Sequence, residues 1–318
     1  MFESGQRKGK ISRSRVDLST VIGSVSLPNP VMTASGTAGY GNELADYFDL
    51  KDIGAVVTKS LHVNPWEGNK RPRLYPAPSG MLNSVGLQGP GIESWIEEKL
   101  PLLLSSGARV VASIWGNTVA EFESAAALLA DTPSEVVAIE VNVSCPNLED
   151  RKKLFAHSAK ATSEVIEAST IAKKPLWAKL SSNTPDLPDI AGEAAIAGAE
   201  AVVLANTMLG MIIDVETRRP VLGAHRGGLS GPAIRPVAIR AVYDTSEAHP
   251  ELPIIGVGGI SSAIDALEFM LAGATAVEIG TATFKDPRAT KKILSGVSRW
   301  CEKQDVKKIS ELIGAAHG

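Results

Sequence analysis

Residues 254–281 read IIGVGGISSAIDALEFMLAGATAVEIGT. Ile254–Val257 is apolar throughout, as a strand covered on both faces must be. Ser261–Leu271 follows with Ala, Leu and Glu at helical spacing. Ala276–Gly280 is a second apolar, β-branched run. Strand, helix, strand in this order reads as a parallel βαβ unit. Both strands run into small residues: Gly258-Gly259-Ile260 after the first, Gly280-Thr281-Ala282 after the second.

The same alternation extends upstream. Short apolar runs occur at Pro30–Ala34, Ala55–Lys59, Arg109–Ile114, Val137–Val143, Leu176–Leu180 and Ala201–Asn206. Helical spacing fills most gaps, at Ile92–Leu104, Val119–Ala130, Ser158–Ala172, Ile190–Ala197 and Val237–Ala248. Eight strands alternating with helices predict an α/β fold, a closed (β/α)8 barrel, with an open doubly wound sheet as the alternative. Val16–Leu27, centred on Ile22-Gly23-Ser24, reads as a hairpin capping the N-terminal end of the barrel. The connections from Ser60 to Pro90 and from Thr207 to Gly231 exceed the usual few residues, and long βα loops are commonly walls or lids of a site.

The chain has 318 residues, of which 44% are hydrophobic and 21% charged. That is ordinary globular composition, and it fits one domain over residues 16–318. Residues 1–15 are polar and basic, with Arg7, Lys8, Lys10, Arg13 and Arg15, and read as a disordered tail without the apolar core of a secretion signal. A formal charge of −3 argues against a nucleic-acid footprint. No run reaches membrane-spanning length. The two cysteines, Cys145 and Cys301, form no metal-binding cluster, and a Cys-poor chain fits a reducing cytoplasm. Cys301 falls on the C-terminal helix and receives no role.

Barrel chemistry sits at the C-terminal strand ends. Those ends carry Ser35, Lys59-Ser60, Asn142 through Asn147, Lys179 and Asn206-Thr207. They lean toward amides and cations. They show no carboxylate cluster, which argues against glycosidase or divalent-metal chemistry. The glycines at 258, 259 and 280 predict a phosphate site, since they let backbone N–H groups approach an anion. Cys145, between Ser144 and Pro146, is either a buried structural thiol or a general base. Buried asparagines at 142 and 147 require partners, and a planar substrate rich in carbonyl and N–H groups supplies them. Lys59 and Lys179 either pair with a barrel carboxylate such as Glu140 or stabilise negative charge on a cofactor ring.

Three motifs now identify a relative. Ser79-Gly80-Met81-Leu82-Asn83-Ser84-Val85-Gly86-Leu87-Gln88, Asn142-Val143-Ser144-Cys145-Pro146-Asn147 and Gly227-Gly228-Leu229-Ser230-Gly231-Pro232 resemble the dihydroorotate dehydrogenases, in the same order. The resemblance runs from Val16 to the C-terminal helix. It implies FMN as cofactor and oxidation of dihydroorotate to orotate in pyrimidine synthesis. It implies that Ser35, Lys59, Ser60, Ser113, Asn142, Lys179 and Ala205 contact the flavin, and that Gly231, Gly258, Gly259, Gly280 and Thr281 hold its phosphate and backbone shell. Lys59 and Asn142 also face substrate in this reading. Asn83, Ser84, Val85, Gly86 and Leu87 match the substrate loop. Asn147, Asn206 and Thr207 complete the substrate contacts, and Cys145 matches the catalytic base. Cysteine as base is similar to the class 1 enzymes, and the run Gly86-Leu87-Gln88-Gly89-Pro90-Gly91 is similar to class 1B. That class implies a homodimer of catalytic chains joined to an FAD- and iron–sulfur-containing subunit that delivers electrons to NAD.

Two positions depart from the family. Ser113 stands where an asparagine is usual. Residues 148–157, LEDRKKLFAH, replace a Gly-rich mobile loop with a charged one, and Arg151-Lys152-Lys153 reads as a solvated face. Three other readings compete: a dehydrogenase of uncharged dihydropyrimidines such as dihydrouracil, a phosphate-sugar lyase or isomerase on the same barrel, and a non-enzymatic binding module, which leaves Cys145 and both lysines unexplained.

Overall fold

The apolar runs become the staves of a parallel barrel. The computed structural model describes residues 16–144 and 154–318. The tail 1–15, Cys145, Asn147 and the charged run Arg151-Lys152-Lys153 lie outside the described residues. Eight parallel strands are Val31–Thr33, Val56–Val57, Val110–Ile114, Val136–Asn142, Leu176–Lys179, Ala201–Leu204, Ile254–Val257 and Ala276–Ile279. From the second to the eighth, each pairs with its neighbour in sequence, and the eighth pairs with the first. The seam between first and second is closed by other bonds. The Gly54 N–H donates to Val31 O at 2.8 Å, and the Val57 N–H donates to Thr33 Oγ1 at 2.9 Å. The fold is a (β/α)8 barrel.

Strand side chains alternate in direction, so one set fills the barrel and the other meets the helices. Met32, Val57, Val111, Ala138, Trp177, Val203, Ile255 and Ala276 form the inner plug. The hairpin Thr20–Ile22 and Val25–Leu27 closes its lower end, with Ile22, Val25 and Leu27 buried against that plug. Gly23 lies at φ +58°, and a Cβ there would meet the Glu200 carboxylate at 2.5 Å, while Ser24 donates its N–H to the same carboxylate at 2.6 Å. Outward-facing strand residues pack under Val119–Leu129, Ala159–Ser169, Leu187–Ile196, Arg235–Ala248, Ala263–Leu271 and Ala289–Lys303. The helical segment after Gly91 contains a π turn at Trp95–Lys99, just ahead of Pro101, which brings no N–H to the ladder.

The two long connections are more than loops. Leu74–Ala77, Gly80–Asn83, Met208–Gly210 and Gly227–Ser230 form a four-stranded antiparallel sheet. Segments about as far apart as Met81 and Ser230 are thereby paired at the mouth of the barrel. Among the described residues, no helix is long and apolar enough to cross a membrane.

Candidate active site

Polar side chains of the inner face gather at the C-terminal end of the barrel. On the fourth strand Ala138, Glu140 and Asn142 share the inner face by alternation; on the fifth, Trp177 and Lys179 do; on the eighth, Ala276, Glu278 and Gly280. Register places Asn142 beside Lys179. Above them opens a cavity of about 310 Å³. That volume suits a small-molecule site.

The cavity brings together residues from every strand end singled out in the sequence. Ser35, Lys59, Ser60, Asn142, Lys179, Ala205, Asn206 and Thr207 line it. So do Asn83, Ser84, Val85, Gly86 and Leu87 from the loop after Gly80–Asn83, and Gly231, Gly258, Gly259, Gly280 and Thr281 from the glycine-bearing turns. Ser113, expected at the flavin, is fully buried beside Ser60 and is not among the residues lining the cavity. Its short side chain donates its hydroxyl to Glu140 Oε1 at 2.8 Å.

A continuous hydrogen-bond network ties floor to wall. Ser60 Oγ sits 2.9 Å from Ser113 Oγ and 3.2 Å from Ser35 Oγ. Asn142 Nδ2 donates to Ser60 Oγ at 3.4 Å, and Asn206 Nδ2 donates to Asn142 Oδ1 at 3.1 Å. The same Asn142 oxygen accepts the Ser144 N–H at 3.2 Å, fixing the backbone one residue before Cys145. Below, Lys179 Nζ lies 3.3 Å from both Glu140 Oε2 and Glu278 Oε2. Burial alone would push the lysine down, but the two carboxylates outweigh it and hold the ammonium above its ordinary range. Thus the ion pair anticipated for Lys179 with Glu140 is present, with a second carboxylate the strand-end pattern did not reveal. Lys59 behaves oppositely. Burial, aided by the Arg73 charge, brings its pKa down to about 8.

The turns have the backbone room an anion site needs. Gly259 lies at φ +75°, where a Cβ would approach Arg235 Cβ at 2.7 Å and Gly231 O at 2.9 Å. The helix Ala263–Leu271 starts just beyond, with Ser262 and Asp265 forming a reciprocal capping box. Thr281 Oγ1 donates to Ser230 Oγ at 2.8 Å, tying the eighth turn to the four-stranded sheet. Among the described residues no Asp or Glu lines the cavity. Two lining hydroxyls, Ser84 Oγ and Ser144 Oγ, are buried without a partner among the described residues. Such groups call for a polar ligand.

Sequence reading missed Met81, Ser230, Ile234 and Phe284, which also line the cavity. Met81 and Ser230 lie inside the quoted motifs, so proximity in sequence was their signal. Ile234 and Phe284 had none. The carboxyl end of the charged segment is anchored: Phe155 is fully buried, and the Ala156 N–H donates to Val143 O at 2.9 Å.

Known proteins agree with this geometry. The profile of the family described as Dihydroorotate dehydrogenase matches residues 17–300. The "Dihydroorotate dehydrogenase B (NAD(+)), catalytic subunit" of Geotalea uraniireducens is 48% identical over 302 residues, covering 94% of this chain and 98% of that protein. The protein of the same name from Geotalea daltonii is 48% identical over 303 residues, covering 95% and 99%. That of Geobacter sulfurreducens is 45% identical over 300 residues, covering 94% and 98%. The chain belongs to the dihydroorotate dehydrogenase family.

Proposed function

We propose that this chain is the FMN-binding catalytic subunit of a class 1B dihydroorotate dehydrogenase, oxidising dihydroorotate to orotate in pyrimidine synthesis. One observation supports it most: three motifs far apart in sequence supply walls of a single cavity, through Asn83–Leu87, Asn142 with Ser144, and Ser230 with Gly231. Family membership disfavours the uncharged-dihydropyrimidine and lyase alternatives.

The residues present fit a flavin mononucleotide. Gly258, Gly259, Gly280 and Thr281 would hold its phosphate by backbone N–H groups. Lys179 would face the ring from the barrel, and Ser35, Ser60 and Ala205 would border it. When bound, the flavin supplies the hydride acceptor. The chain's own residues do the rest. Asn83, Asn142, Asn147 and Asn206 clamp the planar substrate, each neutral hydrogen bond contributing about 0.5–1.5 kcal/mol net. Lys59 sets its charge against the substrate carboxylate. Cys145 takes the proton from the substrate ring, in the role its family motif implies. Asn142 steadies the main chain leading into that cysteine.

The relatives are named as NAD(+)-type catalytic subunits, which supports a partner here: an FAD- and iron–sulfur-containing subunit, with catalytic chains paired as a homodimer. We place the enzyme in the cytoplasm, as one barrel domain over residues 16–318 with a short basic tail. The test is direct. Heat-denatured protein should release FMN, and anaerobic dihydroorotate, but not dihydrouracil, should bleach the bound flavin. Release of FAD, or bleaching by dihydrouracil alone, overturns the reading.

A further inference from the structure

Beneath the cavity lies a charge arrangement that the substrate-facing residues do not explain. Glu140 and Glu278 are fully buried, and Lys179 is 5% exposed. The lysine is 3.3 Å from a carboxylate oxygen of each. Fully ionised, the three would carry one net negative charge in the barrel interior. The inner-face residues around them, Met32, Val57, Trp177, Val203 and Val257, are uncharged. Among the described residues, the other inward cation at this end, Lys59, belongs to the cavity wall. An uncompensated buried charge is costly, and the group takes up a proton instead.

We propose that Glu140 and Glu278 share one proton beneath Lys179, so that the triad is neutral and the pair acts as positioning residues keeping the lysine charged and fixed under the cavity. Each carboxylate has an oxygen 3.3 Å from the same ammonium nitrogen, which brings the two acids together in a water-free interior. Two carboxylates so close do not both ionise. The partners then assign the proton. Glu140 Oε1 accepts the Ser113 hydroxyl at 2.8 Å, which stabilises its anion. Glu278 Oε1 is buried with no donor among the described residues. Burial first, and the Glu140 charge second, push the Glu278 carboxyl well above the ordinary range, in the same sense. Ser113 thereby acquires a use: it selects which carboxyl is the anion. The ammonium lies above and the shared anion below, so a positive end faces the cavity. A doubly ionised pair would set net negative charge under a ring that must accept hydride.

The consequence for the ring rests on the flavin reading; the proton itself does not. Infrared spectra of the folded chain, labelled with 13C-carboxyl glutamate, test the proton with or without flavin. We expect one protonated carboxylic acid band at neutral pH. It should vanish in Glu278→Gln and also in Glu140→Gln, because the carboxyl left alone with Lys179 ionises. No acid band in the folded wild type, or a band persisting in both single variants, overturns the proposal. In the flavin-loaded chain, single variants keep one carboxylate against Lys179. The double variant strips both, so the lysine loses its proton and the flavin potential falls, as in Lys179→Met. A double variant whose potential matches the singles overturns the positioning role. A chain that cannot bind flavin yet shows the band sinks only the functional reading.

Discussion

Lys59 carries its charge less firmly than a surface lysine. Burial is the main cause, and the neighbouring Arg73 adds to it; together they bring the pKa from 10.5 to about 8. The side chain lines the cavity, with its Nζ 5.8 Å from the Tyr40 ring centroid. Around neutral pH it is a cation that a substrate carboxylate can meet. Affinity for orotate should therefore weaken as pH rises through about 8, and Lys59→Met should flatten that dependence. Titration of the bound flavin's spectrum with orotate at a series of pH values measures it; a profile unchanged by the substitution removes Lys59 from the substrate. Stability moves the other way. The folded pKa lies below the unfolded one, so the folded chain binds fewer protons between about 8 and 10.5, and stability rises with pH across that window. Opposite slopes in binding and melting would separate the two effects.

At the scale of elements, the glycine turn after the seventh strand depends on the helix it feeds. Asp265 accepts the N–H groups of Ser261 and Ser262, each at 2.9 Å, and Ser262 Oγ accepts the Asp265 N–H at 3.2 Å. Arg235 also bonds this carboxylate. Replacing a capping serine by alanine costs about 0.5–2 kcal/mol. Ser262→Ala should lower stability by that amount, read as a lower melting temperature, and speed flavin loss, since Gly258 and Gly259 stand just ahead of the cap. A melting shift without any change in flavin retention would confine the cap to stability. The strands and most helices were legible because their periods, two and 3.6, are local signals. The helix read from Ile190 begins at Leu187, because Pro188 occupies a first-turn position where its missing N–H costs nothing. The four-stranded sheet was illegible: its strands are short, rich in Pro and Gly, and paired across long sequence separation. Cavity residues were legible through motifs, since Asn83, Asn142 and Gly231 are all there. The depth of Ser113 and the reach of Glu278 to Lys179 were not, because they depend on which inner-face layer each side chain occupies. Lys179 meets Glu140 and Glu278 across sequence separations of 39 and 99 residues, and local sequence does not specify such contacts.

The whole molecule limits how electrons leave. The cavity is bordered by the barrel floor at Lys179 on one side and by the loop Ser84–Leu87 on another. A flavin held by the glycine turns and Lys179 would share this cavity with the substrate. Hydride transfer requires reacting atoms about 3–3.5 Å apart with their orbitals aligned. A nicotinamide would have to compete for that cavity with the bound substrate. An edge of the ring is enough, however, to pass electrons to a docked protein or a small dye. The isolated chain should thus oxidise dihydroorotate rapidly with an artificial dye and slowly with NAD. Adding the proposed FAD- and iron–sulfur-containing subunit should restore NAD reduction. Steady-state assays of the purified chain with dye, NAD or fumarate distinguish the outcomes. Rapid NAD reduction by the chain alone refutes the need for a partner. Rapid fumarate reduction would show instead that the substrate cavity is reused by a second small acid, and that the partner-dependent route is not this chain's own.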